Sequence, residues 1–362
     1  MQELSGSILA PDGWRQGRVR FDRHVRAVEG PAVVRPHAPY VVPGFVDLHV
    51  HGGGGADVMT GEPAVRTTAR THLRHGTTAL VPTTVTAPLE DLEAALAGIE
   101  AVRLAPADDE ARVLGVHLEG PFLNPDKLGA QPPFARAPER DLLAQWAAQA
   151  RVLLLTYAPE CDPDDLLPRA LAELGIRGQI GHSLADDATA RRALDAGMGV
   201  THLFNAMSGL DHRAPGVVAA ALAVAAHAEL IPDLVHVAPT ALLAARRAIP
   251  GLYGVTDATA GAGMPAGDYP LGRYTATKVG DVLRLADGRL AGSALTMDVA
   301  LTNLVALGLE LDEAVAWLAT RPADRIGRTD LGRIAAGAAA DLVVLDADLA
   351  VTRVLVAGRA AA

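Results

Sequence analysis

From about residue 45 onward, the chain alternates short apolar runs with amphipathic segments. The apolar runs, such as FVDLHVH (45–51), TALVPTTV (78–85) and VLLLTYAPE (152–160), are nearly continuous, which is typical of strands buried on both faces. The segments between them, such as LEDLEAALAGIEAVR (89–103), are rich in Ala, Leu and Arg and have helical spacing. Eight strand-then-helix units of this kind predict an α/β fold, a parallel (β/α)8 TIM barrel.

Both ends of the chain follow a different pattern, with short apolar stretches separated by turn residues and no helical period. GSILA (6–10) and GRVRFD (17–22) lie near the start, and ADLVVLD (340–346) and VTRVLVAG (351–358) lie near the end. Such stretches are typical of short strands. We therefore predict a small β-sandwich domain built from residues 1–43 and 331–362, around a barrel formed by residues 44–330.

The predicted strands of the barrel end in polar residues that can bind metal ions. In barrels of this class the active site lies at the carboxyl ends of the strands. Alternate residues of a strand face the same side, so the first strand directs both of its histidines to one place. The strand-end residues are His49, His51, Glu119, His182, His202, His236 and Asp257.

This set of imidazoles and carboxylates predicts a site for zinc or a similar divalent ion. A catalytic metal lowers the pKa of a water molecule, which can then attack a carbonyl group. A nearby carboxylate can take the proton and return it to the leaving group, and Asp257 on the last strand is the candidate for this role. The glycines Gly52 to Gly55, directly after the histidine pair, predict a close approach of substrate or backbone.

Each residue also has a simpler interpretation. A lone buried histidine is more often a hydrogen-bonded core residue than a metal ligand, but several histidines at strand ends favour a metal site. His117 shares a face with Glu119 but lies one layer deeper, and we interpret it as structural.

Composition and charge limit the kinds of partner and the cellular compartment that we expect for this protein. The formal net charge of the 362-residue chain is -10, which argues against nucleic acid or an anionic membrane as a partner. No stretch of about 20 residues is uniformly apolar, so no membrane span is expected. Cys161 is the single cysteine, which fits a reducing compartment. Together with a start that lacks an apolar signal-like run, this predicts a cytoplasmic protein.

Longer motifs carry a resemblance to a known family. The HxH pair on the first strand, histidines on the fifth and sixth strands and the aspartate on the eighth resemble the amidohydrolase superfamily. PGFVDLHVHG (43–52), HLEGPFLNPDKLGAQ (117–131), THLFNAMSGLDHRAPG (201–216) and VTDATAGAGMPAG (255–267) are similar, more narrowly, to the N-acetylglucosamine-6-phosphate deacetylase family. The resemblance extends over essentially the whole chain.

The resemblance implies a reaction and a set of metal ligands. The reaction would remove the acetyl group from N-acetyl-D-glucosamine 6-phosphate and give D-glucosamine 6-phosphate and acetate. Glu119, His182 and His202 would bind the principal metal. His49 and His51, with Asp257 nearby, would hold a second metal, and Glu119 could bridge the two. The cofactor would be one or two divalent ions, zinc first, with iron, manganese or cobalt as alternatives.

The resemblance also implies substrate contacts and an assembly. Arg213 can grip a phosphate with two parallel hydrogen bonds. In the family this arginine can reach across a dimer interface, so a homodimer is expected. Gln131 departs from members that carry histidine at that position. The residues that match sugar- or phosphate-contacting positions are Ala130, Gln131, Asn205, Ala206, Arg213, His236, Leu290, Ala291 and Gly292.

The sequence alone leaves open other substrates and a function other than catalysis. The same mechanism could act on N-acetylgalactosamine 6-phosphate or on another N-acyl amino sugar phosphate. A more remote alternative is a non-catalytic protein that binds phosphosugars, which predicts the loss of a ligand or of the acid/base. All the strand-end groups are present, which favours an enzyme.

Overall fold

The computed structural model describes residues 1–361, and the chain begins with four strands. They are β1 (Gln2–Ala10), β2 (Gly13–Phe21), β3 (Val25–Glu29) and β4 (Tyr40–Pro43). The first three form an antiparallel meander, and β1 also pairs in parallel with β4.

From Phe45 to Gly254 strands and helices alternate. In chain order they are β5 (Phe45–Val50), the two-residue strands β6 (Gly52–Gly53) and β7 (Ala56–Asp57), α1 (Glu62–Arg74), β8 (Thr77–Thr84), α2 (Leu89–Leu104), β9 (Arg112–Val113), β10 (Val116–Glu119), α3 (Arg140–Gln149), β11 (Val152–Tyr157), α4 (Leu166–Leu174), β12 (Arg177–Ile180), α5 (Asp187–Asp195), β13 (Gly199–Val200), α6 (Val217–Val224), β14 (His227–Leu230), α7 (Pro239–Ala248) and β15 (Gly251–Gly254). Every residue of β5 and β8 is buried, because the barrel interior packs on one face and the helices on the other.

Eight of these strands are parallel neighbours, in the order β5, β8, β10, β11, β12, β13, β14 and β15. The residues that follow β15 close the barrel against β5. The amide of Asp257 donates to the carbonyl of His49 at 2.9 Å, and the amide of His51 donates to the carbonyl of Ala258 at 2.8 Å. The predicted (β/α)8 barrel is confirmed.

A small antiparallel sheet follows the eighth barrel strand. It consists of β16 (Gly267–Leu271), β17 (Tyr274–Val279), β18 (Val282–Arg284) and β19 (Leu290–Ser293). The sheet has its own apolar cluster, formed by Leu271, Ala276, Leu283 and Ala291 with Val85 from the end of β8. This sheet therefore packs against the carboxyl end of the barrel, where the predicted site residues lie.

The chain then returns to the sheet formed by its first residues. Helices α8 (Met297–Ala306) and α9 (Leu311–Val315), a π-helical turn (Ala316–Thr320) and α10 (Arg321–Arg325) lead to β20 (Leu342–Leu345), β21 (Val351–Val356) and β22 (Arg359–Ala360). Strand β20 pairs with β4, so that both ends of the chain contribute to one seven-stranded sheet, ordered β22-β21-β20-β4-β1-β2-β3. The boundaries of the domains at residues 43 and 331 stay predictions, and the second terminal segment includes residue 362, outside the described residues.

Across residues 1–361, the helices all fall short of the length and apolar character that crossing a bilayer requires.

Candidate active site

The structure brings the strand-end residues together at the carboxyl end of the barrel. His49 lies within β5, His51 directly follows it, and Glu119 is the last residue of β10. His182, His202 and Asp257 lie two or three residues beyond β12, β13 and β15. All six side chains are at least nine-tenths buried. The prediction that the seventh strand ends in His236 is wrong: β14 ends at Leu230, because Pro232 interrupts the ladder, and His236 lies in the following loop.

The Glu119 carboxylate lies between two groups of histidines. Its Oε1 atom is 3.0 Å from Nε2 of His182 and 2.9 Å from Nε2 of His202. Its Oε2 atom is 3.2 Å from Nε2 of His51 and 3.6 Å from Nε2 of His49. One carboxylate therefore joins two potential metal sites, each with ligand atoms within 4.8 Å of one another.

Asp257 completes the group that contains the HxH pair. Its Oδ1 atom is 3.3 Å from Nε2 of His49 and 3.1 Å from Nε2 of His51. The two imidazole nitrogens are themselves 3.1 Å apart. Asp257 also lines the cavity above the group, so that its carboxylate can reach both a metal and a substrate.

The chemistry of these donors fits a cation. The Nδ1 atom of His51 faces the carbonyl of Thr83 at 3.0 Å, and Nδ1 of His182 faces the carbonyl of Lys127 at 3.1 Å. Nδ1 of His49 faces the carboxylate of Glu229 at 3.0 Å. A carbonyl or carboxylate requires a donor, which assigns the proton of each ring to Nδ1. The Nε2 lone pairs then point at one another and at carboxylates, an arrangement that a shared divalent cation satisfies.

The electrostatics of the group also favour positive charge. Burial opposes a charge on His51, but Asp257 and Glu119 outweigh burial and raise the pKa of His51 to about 9. Burial likewise opposes ionisation of Glu119, but the surrounding histidines hold the pKa of Glu119 well below its usual value. The centre therefore stabilises a carboxylate beside positive charge, which is what a bound divalent ion supplies.

Three of the candidate ligands adopt unusual backbone conformations. The φ angles are 49° for His182, 29° for His202 and 51° for Asp257, in the left-handed region that residues with a Cβ rarely enter. Such strain persists where the surrounding structure enforces it, and it clusters at functional sites. Here it turns each side chain inward at the point where its strand ends.

A cavity of about 660 Å³ opens above the histidine group. Its volume is in the range of small-molecule sites. Seven of the residues proposed to contact the substrate line it, namely Ala130, Gln131, Asn205, Ala206, His236, Leu290 and Gly292.

Two others do not line the cavity. Ala291 is fully buried in the apolar cluster of the small antiparallel sheet, because successive strand residues face opposite sides and its neighbours Leu290 and Gly292 take the cavity side. Arg213 is exposed on the loop after β13, outside the cavity of its own chain.

Gln131 contacts the candidate metal centre directly. Its side-chain amide donates to Oε2 of Glu119, and its carbonyl oxygen accepts from the backbone amide of Thr86 at 2.7 Å. The second bond fixes the orientation of the amide, with the NH2 group toward Glu119. Gln131 therefore holds the Glu119 carboxylate on the side of the HxH pair.

His236 lines the cavity, and its partner Asp233 favours the charged form of the ring. Its Nδ1 atom is 2.6 Å from the carboxylate of Asp233. Burial lowers the pKa of His236, but the bond to Asp233 outweighs burial and raises it above the usual value. A charged imidazole in this position suits an anionic group of a substrate.

The glycines after the HxH pair lie close to the backbone of neighbouring segments. The amides of Gly52 and Gly54 donate to the carbonyls of Ala258 and Ala262, at 3.0 Å and 2.8 Å. A Cβ atom on Gly52 would lie 2.3 Å from the carbonyl oxygen of Ala56. Among the described residues that line the cavity, none comes from Gly52 to Gly55, so these glycines allow tight packing beneath the site.

Sequence reasoning missed Glu229, which supports the site from below. It is fully buried on β14 and accepts hydrogen bonds from Gln179 at 2.6 Å and Tyr253 at 3.2 Å, in addition to that of His49. A carboxylate inside the apolar run AELIPDLVHV was a usable signal, because an acid rarely lies in a buried strand without a partner. His117, interpreted as structural, is buried beside His49 and hydrogen-bonds Thr156 at 2.8 Å.

The cavity also has basic and aromatic residues that the motifs did not single out. Lys127, Tyr274 and Arg289 line it. Lys127 lies within a quoted motif. Nothing in the sequence indicated the small antiparallel sheet, in which β17 carries Tyr274 and Arg289 directly precedes β19.

Comparison with known proteins agrees with this geometry. The model of the "Amidohydrolase family" matches residues 40–361. The chain belongs to the amidohydrolase family. Within the part of the chain that the structure describes, the match begins at β4 and includes the barrel, the histidine group and the C-terminal strands.

Two curated relatives that match nearly the full length of this chain are named as deacetylases of amino sugar phosphates. The N-acetylgalactosamine-6-phosphate deacetylase of Escherichia coli O157:H7 is 38% identical over 98% of this chain and 97% of its own length. The N-acetylglucosamine-6-phosphate deacetylase of Lysinibacillus sphaericus is 32% identical over 98% of this chain and 94% of its own length.

Solved structures of amidohydrolases superpose on the whole chain. The N-acetylglucosamine-6-phosphate deacetylase of Thermotoga maritima has a TM-score of 0.91 at 30% identity and covers 100% of this chain and 99% of its own. A mutant of the Mycobacterium smegmatis enzyme in complex with N-acetyl-D-glucosamine-6-phosphate has a TM-score of 0.90 at 35% identity, covering 99% and 98%.

Proposed function

We propose that this protein hydrolyses the acetamide bond of N-acetyl-D-glucosamine 6-phosphate and releases D-glucosamine 6-phosphate and acetate. The observation that carries the proposal is the buried group of four histidines, Glu119 and Asp257 at the floor of a cavity of about 660 Å³. Residues suited to a sugar and its phosphate line the walls of the same cavity.

Two sets of residues would hold the cofactor. Glu119, His182 and His202 form one, and His49 and His51, with Asp257 and the shared Glu119, form the other. A divalent ion, zinc by preference and iron, manganese or cobalt as alternatives, supplies positive charge that polarises the acetyl carbonyl and lowers the pKa of a water molecule.

Asp257 transfers the proton of the reaction. It accepts a proton from the water whose oxygen attacks the acetyl carbon, and it returns a proton to the amide nitrogen as the C–N bond breaks. The amino sugar therefore leaves as a neutral amine and the acetyl group as acetic acid, which releases its proton to solvent and becomes acetate. The burial of Asp257 and of its histidine partners keeps bulk water away from this transfer.

The walls of the cavity bind the sugar phosphate. His236, Asn205 and Ala206 line the cavity, and we assign the phosphate to them. Ala130, Gln131, Leu290 and Gly292 line the same cavity and would contact the sugar. In this arrangement the acetamide would lie toward the histidine group.

We further propose a homodimer in the cytoplasm. Arg213 is exposed and outside the cavity of its own chain, as expected for an arginine that grips phosphate in a partner's site. Exposed apolar side chains also follow strands β12, β13 and β14 at this end of the barrel, namely Leu184, Leu210 and Val235. A patch formed by such side chains is typical of a contact surface.

The galactosamine epimer is a second candidate substrate. The specific support is the 38% identity with a relative named N-acetylgalactosamine-6-phosphate deacetylase. Release of acetate from both phosphosugars, measured side by side as kcat/KM, tests the assignment. Faster turnover of the glucosamine substrate supports the proposal, whereas turnover of the galactosamine substrate alone replaces it.

A further inference from the structure

A second cavity, of about 300 Å³, lies at the opposite end of the barrel from the candidate active site. Its barrel side comprises Arg112 on β9 and Arg151, which directly precedes β11, so that it borders the amino ends of the strands. Its other side comprises Arg23, between β2 and β3, and Arg359 on β22. The cavity thus lies at the seam between the barrel and the sheet formed by both termini.

Arginine dominates the lining of this seam cavity. Six arginines contribute to it, namely Arg23, Arg103, Arg112, Arg151, Arg328 and Arg359. The acidic residues of the lining are Asp108, which pairs with Arg359, and Glu110, which pairs with Arg66 and Arg70 from outside the cavity. Such a concentration of guanidinium groups is notable in a chain whose formal net charge is -10.

Two of the six arginines have no side-chain partner among the residues that the structure describes. Arg103 pairs with Glu100, Arg112 with Asp341 and Arg328 with Asp330. Within residues 1–361, the guanidinium groups of Arg23 and Arg151 have neither a hydrogen bond nor an ion pair.

Arg23 and Arg151 lie on opposite sides of the seam, as the partners of an ion pair across it would. The pairs Arg112–Asp341 and Arg359–Asp108 each join the barrel side to the terminal strands. Arg23 and Arg151 also come from opposite sides of the seam, but both are cations. An anion between them would complete a further bridge of the same kind.

We propose that the seam cavity is a binding site for a compact oxyanion, in particular a phosphate group, held by Arg23 and Arg151. Guanidinium groups bind phosphate through paired hydrogen bonds, and a concave wall of like charge strengthens the local field. Bound anion joins the two sides of the seam, so it stabilises the folded chain. The proposal does not depend on the reaction at the other end of the barrel.

Equilibrium dialysis of the metal-loaded protein against radiolabelled inorganic phosphate at fixed ionic strength tests this site. All measurements use a His236→Ala/Arg213→Ala background, which removes both charged side chains proposed to bind phosphate in the active site. In that background we expect phosphate to bind and to raise the melting temperature. The double substitution Arg23→Ala/Arg151→Ala should weaken binding by at least about tenfold and abolish the rise in melting temperature.

A charge-matched control is the double substitution Arg35→Ala/Arg169→Ala, which removes two exposed arginines that do not line the cavity. This control should bind phosphate as the parent does. An unchanged affinity in Arg23→Ala/Arg151→Ala, or an equal loss in the control, would overturn the proposal. With His236 and Arg213 restored, kcat/KM of Arg23→Ala/Arg151→Ala should equal that of the wild type, whereas failure of the proposed reaction would appear as absence of turnover in both.

Discussion

At the scale of the residue, the hydrogen bond from His49 to Glu229 fixes which nitrogen of the ring faces the candidate metal centre. Glu229 accepts from Nδ1 of His49 at 3.0 Å, so that the lone pair of Nε2 points toward Asp257 and Glu119. Buried partners of this kind orient metal-binding histidines and raise their basicity.

Replacement of Glu229 by glutamine tests this role. The amide keeps an acceptor but removes the negative charge, so Glu229→Gln should lower metal affinity by about 10- to 100-fold with the fold intact. Competition with a chelator measures the affinity directly, without reliance on activity. Tyr253→Phe, which removes only a hydroxyl that donates to the same carboxylate, is the control and should change affinity less. Equal affinities in the wild type and Glu229→Gln would contradict the assignment.

The proposed contact between His236 and the phosphate predicts that KM depends on pH. Asp233 raises the pKa of His236, so the ring is charged below that pKa and loses its charge as the pH rises through it. Asp233→Asn should therefore lower the pKa of His236, move the rise in KM to lower pH and increase KM between the two pKa values, with kcat little changed.

Profiles of KM against pH for the two proteins measure the shift. Asp233 also accepts from the backbone amides of Val235 and His236, and asparagine retains this acceptor, so the loop should keep its shape. Asp186→Asn, which makes the same change at the N-cap of α5, is the control. Superimposable profiles for the wild type and Asp233→Asn would show that the charge of His236 does not hold the phosphate.

The sequence predicted the centre of the site better than its surroundings. His49, His51, Glu119, His182, His202 and Asp257 could be found because barrel topology places the ends of parallel strands together. The apolar run around Glu229 signalled a buried carboxylate but not its partners, and the resemblance named Gln131 but not its bond to Glu119, because these contacts join segments far apart in the chain. Arg213 matched a motif, yet only the structure shows that it is outside its own cavity.

At the scale of the element, Asp47 joins the first and eighth strands of the barrel. It is fully buried, and its carboxylate accepts from the hydroxyl of Thr256 at 2.6 Å and from the amides of Thr256 and His49. These bonds lie directly beneath the residues that close the barrel and carry Asp257.

Truncation of Asp47 should loosen this closure. Asp47→Ala leaves a buried hydroxyl and buried amides without an acceptor, which should lower the free energy of unfolding by about 2–3 kcal/mol. Unfolding in urea measures the change. Asp47→Asn retains an acceptor and should cost less, and a loss below about 0.5 kcal/mol in Asp47→Ala would refute the role.

Whether each element could be predicted depended on its periodicity. The barrel strands were evident because burial on both faces produces continuous apolar runs. The small antiparallel sheet was not, because its strands β16 to β18 are short and largely exposed, and alternate weakly between apolar and polar residues. His236 was assigned to a strand because VHV resembles one, although Pro232 stops β14 earlier.

At the scale of the whole molecule, the account requires two chains for a complete phosphate site. Co-expression of an Arg213→Ala chain with an Asp257→Asn chain tests this requirement. In a hybrid dimer, one site combines an intact Asp257 with the partner's intact arginine, so random pairing should restore roughly a quarter of the wild-type sites. Each variant alone should be nearly inactive, and each serves as the control for the other. Activity of the mixture equal to the sum of the separate variants would exclude a shared site.

The central claim is that the carboxyl end of the barrel holds the active site of a metal-dependent deacetylase of phosphorylated amino sugars. The most direct test is acetate release from N-acetyl-D-glucosamine 6-phosphate by protein stripped of metal and then reloaded with zinc, iron or manganese, with the unphosphorylated sugar in parallel. The account predicts turnover of the phosphosugar alone, and only after metal is restored. Bound metal without turnover of the phosphosugar, or equal turnover of both sugars, would contradict it.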